Sequence, residues 1–166
     1  IVEDVKIDLP VTAFIPNQWI VDSEEKLAAY KAATSCTSGK QLQELVISWN
    51  DKYGQIPKPV YSLIDLMDLK IKTKNCGFYR IKKDSSNINL ETTMEEGAFL
   101  SLRKGIPKHL HSRFIYKKFN TNSEVTVRGL GMLPVEKQIE TLKEWLGKME
   151  KEVPDNQKLK LSNLID

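Results

Sequence analysis

Three groupings in this 166-residue chain have residue types and spacings that could do chemistry. Asp65 and Asp68 stand three apart in a helical pattern, so both carboxylates would share a face and could divide acid–base work between them. Asp68 also precedes Lys72 by four residues, and a solvated, salt-bridged face accounts for all three side chains without catalysis. His109 and His111, the two histidines of the chain, alternate as on a strand and would point to one side, the beginning of a metal site. No cysteine or carboxylate cluster stands at a matching spacing, so no metal is expected. Gly129-Leu130-Gly131 has the look of a phosphate loop, but Pro134 falls where a third glycine belongs and no lysine-serine pair follows. A plain strand-to-helix turn is expected there, with no nucleotide or other cofactor. No serine or cysteine stands in a nucleophile's local setting, so the sequence supports no catalytic residue.

Charge offers a fourth possibility. The net +3 hides an asymmetry: residues 70–118 hold 12 Lys/Arg against 4 Asp/Glu, or +8, leaving −5 for the remainder. Phe78, Tyr79, Phe114 and Tyr116 are interleaved with these cations, as in a sheet that stacks bases and tracks phosphates. Alternate strand residues face opposite ways, however, so the rings can fill a core while the lysines cover the outside. Direct DNA contact is therefore expected to be weak, and a basic nucleic-acid-binding module is the alternative reading.

The elements that must position these residues follow from periodicity. Val5, Ile7 and Leu9 alternate with polar residues in a short strand ended by Pro10. Asp22 with Glu25, and Ser38 with Gln41, are capping boxes for two helices. The first buries Leu27, Tyr30 and neighbouring alanines; the second buries Leu42, Leu45, Val46 and Trp49 and stops at Gly54. A long third helix opens at Pro59 and runs to Gly77 with two apolar stripes, Val60/Leu63/Ile64/Met67/Ile71 and Leu66/Leu69/Thr73/Cys76. Two stripes predict packing partners on both sides.

After Gly77 the period changes. Residues 78–82 and 88–92 flank the turn formers Asp84-Ser85-Ser86-Asn87, and residues 113–118 and 124–128 flank Asn120-Thr121-Asn122, which predicts two hairpins. Between them a short helix over 95–104 turns Ala98, Phe99 and Leu102 inward. A last helix from Pro134 carries Val135, Ile139, Leu142, Leu146, Met149 and Val153 in a seam that should dock on the sheet. The expected fold is α+β: about three N-terminal helices packed with an antiparallel sheet of two hairpins, an intervening short helix and a long C-terminal helix. The expected organisation is a single domain over 1–166, with a helical lobe at about 5–77, a sheet-containing lobe at about 78–153 and a polar tail at 154–166. A chain opening on Ile1 is expected to have been cut from a larger protein. It has no apolar run long enough for a bilayer, and Cys36 and Cys76, far apart in sequence, suit reduced thiols in the cytoplasm.

Three stretches carry a resemblance: D-L-P-V-T-A-F-I-P-N-Q-W-I-V-D, L-A-A-Y-K-A-A and L-Q-E-L-V-I-S-W-N-D-K-Y-G-Q-I-P-K-P-V. Over about Val5 to Gly77 the chain resembles the C-terminal domain of bacterial transcription-repair coupling factor. The resemblance implies a non-catalytic regulatory domain of an ATP-dependent DNA translocase that acts on stalled RNA polymerase in nucleotide excision repair, with ATP and magnesium confined to the parent's motor domains. It implies an intramolecular clamp: the domain covers the surface of the parent's UvrB-like module that UvrA would use, so that UvrA and RNA polymerase are reached only through the parent. The family's E-x-x-D-R-F-G contact stretch, which meets arginines on that module, falls here on Ser48, Asp51, Lys52, Tyr53 and Gly54. Asp51 keeps the acid, Ser48 replaces a glutamate, and Lys52 and Tyr53 are milder changes.

Overall fold

Asp22 and Ser38 open their helices as capping chemistry requires. In the computed structural model, which describes residues 5–154, the Asp22 carboxylate accepts from Glu25 N at 3.3 Å and the Ser38 hydroxyl from Gln41 N at 3.2 Å. Each bond satisfies an amide that the helix itself cannot. The helices are α1 (Ser23–Ser35), α2 (Gly39–Tyr53) and α3 (Lys58–Cys76). The chain divides into two compact units, residues 10–71 and residues 5–9 with 72–154, and the division falls within α3.

In the unit of residues 10–71, Ile15, Ile20, Ala29, Ala33, Leu42, Trp49, Ile56, Val60, Leu63 and Met67 form one buried cluster. Trp49 is 4% exposed and meets Trp19 edge to face, ring centroids 5.9 Å apart. The Tyr30 hydroxyl accepts from Ile15 N at 2.7 Å and ties the segment before α1 to the helix. Leu27 departs from expectation: it is 55% exposed, and Ala29 and Ala33 take the buried side of α1. Residues 29 and 33 lie one turn apart on one face, and Leu27 stands well round the helix from that line.

In the other unit the sheet is larger than two hairpins. The strands are β1 (Lys6–Asp8), β2 (Phe78–Asp84), β3 (Asn87–Thr92), β4 (Phe114–Lys118) and β5 (Ser123–Val127), in the order β1-β2-β3-β5-β4. All neighbours are antiparallel except β1, which lies parallel to β2 with Ile7 opposite Ile81. The expected all-antiparallel sheet is thus a mixed one, because β1 pairs with a β2 edge that would otherwise be open. The fold is α+β.

Period two gives the sheet its faces. Ile81, Ile88, Leu90, Val125, Val127 and Phe114 are buried. On them rest α4 (Glu96–Arg103) and α5 (Val135–Glu150): Phe99 stacks on Tyr116 at 5.8 Å, and Trp145 meets Phe114 edge to face at 5.3 Å. The α5 seam docks as expected through Ile139, Leu142, Leu146 and Met149, with Trp145 added and Val135 only half-buried. Ala98 is exposed rather than inward, leaving Phe99 and Leu102 to hold α4. On the outer face, ion pairs run across the strands from Asp8 to Arg80 (2.6 Å), Arg80 to Glu91 (3.5 Å) and Lys82 to Glu124 (3.3 Å). Beyond Pro154, the expected polar tail lies outside the described residues.

Trp49→Ala is expected to lower the unfolding free energy by about 3–5 kcal/mol, the range for aromatic truncation in a core. Denaturant titration measures it, and a loss below about 1 kcal/mol would remove Trp49 from the core.

Candidate protein interface at the end of the second helix

Burial of Trp49 fixes the rotation of α2. Ser48, Asp51 and Lys52 therefore project to solvent over its last two turns, and Tyr53 is half-buried. The helix stops where Gly54 takes φ 87°, a left-handed value that a side chain would resist, with Gly54 N still donating to Asn50 O at 3.0 Å.

Tyr53 organises this end. Its ring lies against Trp19 at 5.4 Å, and its hydroxyl donates to Glu25 Oε2 at 3.2 Å, from a helix 28 residues earlier in the chain. Glu25 thereby turns away from the second half of its expected capping box. Lys52 folds back so that Nζ stands 5.3 Å over the Tyr53 ring. The Tyr53 hydroxyl first, and the charge of Glu25 after it, push the Lys52 ammonium pKa above its usual value. The cation is thus engaged within the protein. Asp51 is exposed, and no hydrogen bond or ion pair engages it among the described residues. An acid in the last turn of a helix faces the negative end of the helix dipole, so its position offers the fold no advantage.

The structure brings all four sequence candidates to one helix end and adds two residues, Glu25 and Trp19. The sequence carried no signal for either, because both contacts join parts of the chain far apart in sequence. Ile47, 63% exposed on the neighbouring turn, gives the same face an apolar element.

His109 and His111 lie in a 3₁₀ helix, Lys108–Arg113, and not on a strand. Pro107 starts that helix, and the His111 ring is 2.6 Å from Ile106 O. No group of three potential metal ligands occurs among the described residues. Gly129-Leu130-Gly131 forms the expected turn into α5, and a Cβ on Gly131 would sit 2.9 Å from the Ser86 carbonyl carbon. On α3, Asp65 is exposed and Asp68 half-buried. Phe78 and Phe114 are buried, the Tyr79 hydroxyl accepts from Asn122 Nδ2 at 2.9 Å, and the Tyr116 hydroxyl donates to Met94 O at 2.9 Å. No stacking platform is left among these four rings. Both cysteines are free thiols, and burial of Cys76 pushes its pKa far up, out of nucleophilic range. No helix among the described residues is long and apolar enough to cross a membrane.

A family model described as the TRCF domain matches residues 9–99. The transcription-repair-coupling factor of Mycobacterium tuberculosis is 26% identical over 107 residues, 63% of this chain and 9% of that protein. That of Bacillus subtilis is 27% identical over 101 residues, 61% and 9%; that of Escherichia coli is 22% identical over 80 residues, 48% and 7%. The chain thus matches less than a tenth of the length of these relatives. A crystal structure of the C-terminal domain of transcription-repair coupling factor superposes with a TM-score of 0.75 at 15% identity, covering 90% of this chain and 94% of that one. That likeness is one of fold.

If Asp51 has no structural duty, Asp51→Arg should leave the unfolding free energy within about 0.5 kcal/mol of the parent value. Tyr53→Ala, which removes the contacts to Trp19 and Glu25, should cost about 1–2 kcal/mol in the same denaturant titration. Equal costs for the two would assign Asp51 to the fold rather than to a partner.

Proposed function

The chain belongs to the TRCF domain family, and on that premise we propose that it is a non-catalytic regulatory domain that clamps the UvrB-like module of its own longer polypeptide. In this reading the end of α2 covers the surface of that module to which UvrA binds, and the parent is a cytoplasmic DNA translocase that acts on stalled RNA polymerase. ATP and magnesium belong to the parent's motor domains.

One observation carries the proposal: the Asp51 carboxylate is exposed and unengaged among the described residues, at a helix end where Glu25 accepts from the Tyr53 hydroxyl and Lys52 folds over the Tyr53 ring. A partner arginine approaching this end meets an acid that needs no internal bond broken, and a charge-assisted hydrogen bond to it gains what a screened surface pair does not once the contact excludes water. Ser48 leaves out the acid found one turn earlier in the family stretch. Glu25, held by Tyr53, supports the same electrostatic character from α1, and Ile47 contributes apolar area. The clamp here is built from two helices.

The test is made in the full-length parent. Asp51→Arg should raise the fraction captured by UvrA toward the level reached when the whole domain is deleted. Capture equal to wild type, in a titration where the deletion does raise it, would remove Asp51 from the clamp.

A further inference from the structure

Residues 97–123 hold six Lys/Arg and both histidines of the chain, with no Asp or Glu. The fold gathers the central part of this run. Lys104 closes the last turn of α4, and Lys108 and His109 stand exposed on the 3₁₀ helix. Leu110 N donates to Pro107 O at 2.9 Å and the His111 ring is 2.6 Å from Ile106 O, so the segment presenting Lys108 and His109 is pinned from behind. Arg113 is held by Trp145, 5.1 Å beneath its guanidinium, and donates from Nε and Nη2 to Arg128 O at 3.0 and 2.9 Å. Arg128 N donates back to Arg113 O at 2.8 Å, which places the exposed Arg128 beside it. Among the described residues no carboxylate pairs with Lys104, Lys108, Arg113 or Arg128. On the adjoining end of α5, Glu144 is engaged by Lys148 at 3.4 Å, and Glu152 lies near Gly105.

We propose that this strip, Lys104, Lys108, His109, Arg113 and Arg128, is a docking surface for the phosphate backbone of duplex DNA. Charge complementarity selects a polyanion, and the lack of exposed large apolar side chains selects its class. None of the exposed large hydrophobic residues falls within 103–113 or at 128. A protein partner needs an apolar interface core, whereas phosphate contacts need cations and hydrogen-bond donors. The 3₁₀ helix is on the order of 10 Å long at about 2 Å per residue, the axial length of roughly three base steps. Duplex is favoured over single strand because the rings packed behind the strip, Phe99, Phe114 and Trp145, are buried and cannot stack on bases. The contact is sequence-independent and salt-sensitive, and it uses none of the residues at the Asp51 end of α2.

Anisotropy of a fluorescein-labelled mixed-sequence duplex, titrated with the 166-residue chain across a salt series, tests the assignment. Wild type should bind at about 0.05 M salt and weaken to a micromolar or larger Kd at about 0.15 M. The triple variant Lys104→Glu, Lys108→Glu, Arg128→Glu should lose at least about tenfold in affinity at low salt and flatten the log–log salt slope by about 2 to 3, near 0.9 for each phosphate contact removed. A control triple of equal charge change on the other unit, Lys31→Glu, Lys40→Glu, Lys58→Glu, should stay within about twofold of wild type, and glutamine in place of glutamate at the first three positions should give an intermediate loss. Equal losses in both glutamate triples, an unchanged slope in the first, or no wild-type binding at low salt would overturn the proposal. Tighter binding of polyglutamate than of the duplex would reassign the strip to an acidic protein.

Discussion

Burial of Trp49 against Trp19 is the constraint on which the candidate interface depends. A helix can bury an indole on one line only, and that choice sends Ser48, Asp51 and Lys52 outward together. Trp19 also backs Tyr53, whose hydroxyl holds Glu25 while its ring faces the Lys52 ammonium. The aromatic core and the surface charges therefore form one arrangement, in which Glu25 and Lys52 are engaged by Tyr53 while the Asp51 carboxylate has no partner among the described residues.

The sheet unit solves a different problem, that of covering one apolar face and protecting an edge. Trp145 on Phe114 and Phe99 on Tyr116 seat α5 and α4 on the inner face. The opposite face carries a ladder of alternating charge from Asp8 through Arg80, Glu91 and Lys82 to Glu124. Pairs of this kind at a partly exposed surface contribute little each, and their arrangement favours one register over its slips. Lys104 and Lys108 have no place in that ladder, and no carboxylate pairs with them among the described residues.

Local chemistry was legible in the sequence wherever a residue acts on its own neighbours. The caps at Asp22 and Ser38, the stop at Gly54, the turns between β2 and β3 and between β4 and β5, and the α5 seam all follow from spacing and turn-forming residues. What required the structure was non-local. Three residues of β1 carry no mark of which strand they will join, or in which direction. Glu25 has the spacing of a capping box, and only the arrival of Tyr53 draws it elsewhere. Leu27 has the composition of a core residue, but its angular position leaves it outside. His109 and His111 alternate as on a strand, yet Pro107 starts a 3₁₀ helix through them. The interface candidates came from the resemblance; the structure turns Ser48, Asp51 and Lys52 to solvent, sets Tyr53 against Trp19 and brings Glu25 of a second helix to it.

Hydrogen–deuterium exchange of this chain, measured alone and with the isolated UvrB-like module, tests the clamp most directly because it locates the contact without altering a residue. The account predicts slower exchange confined to the last turns of α2 and the first turn of α1 when the module is bound. Protection that falls instead on 103–118, with residues 44–54 unchanged in the bound state, would contradict it.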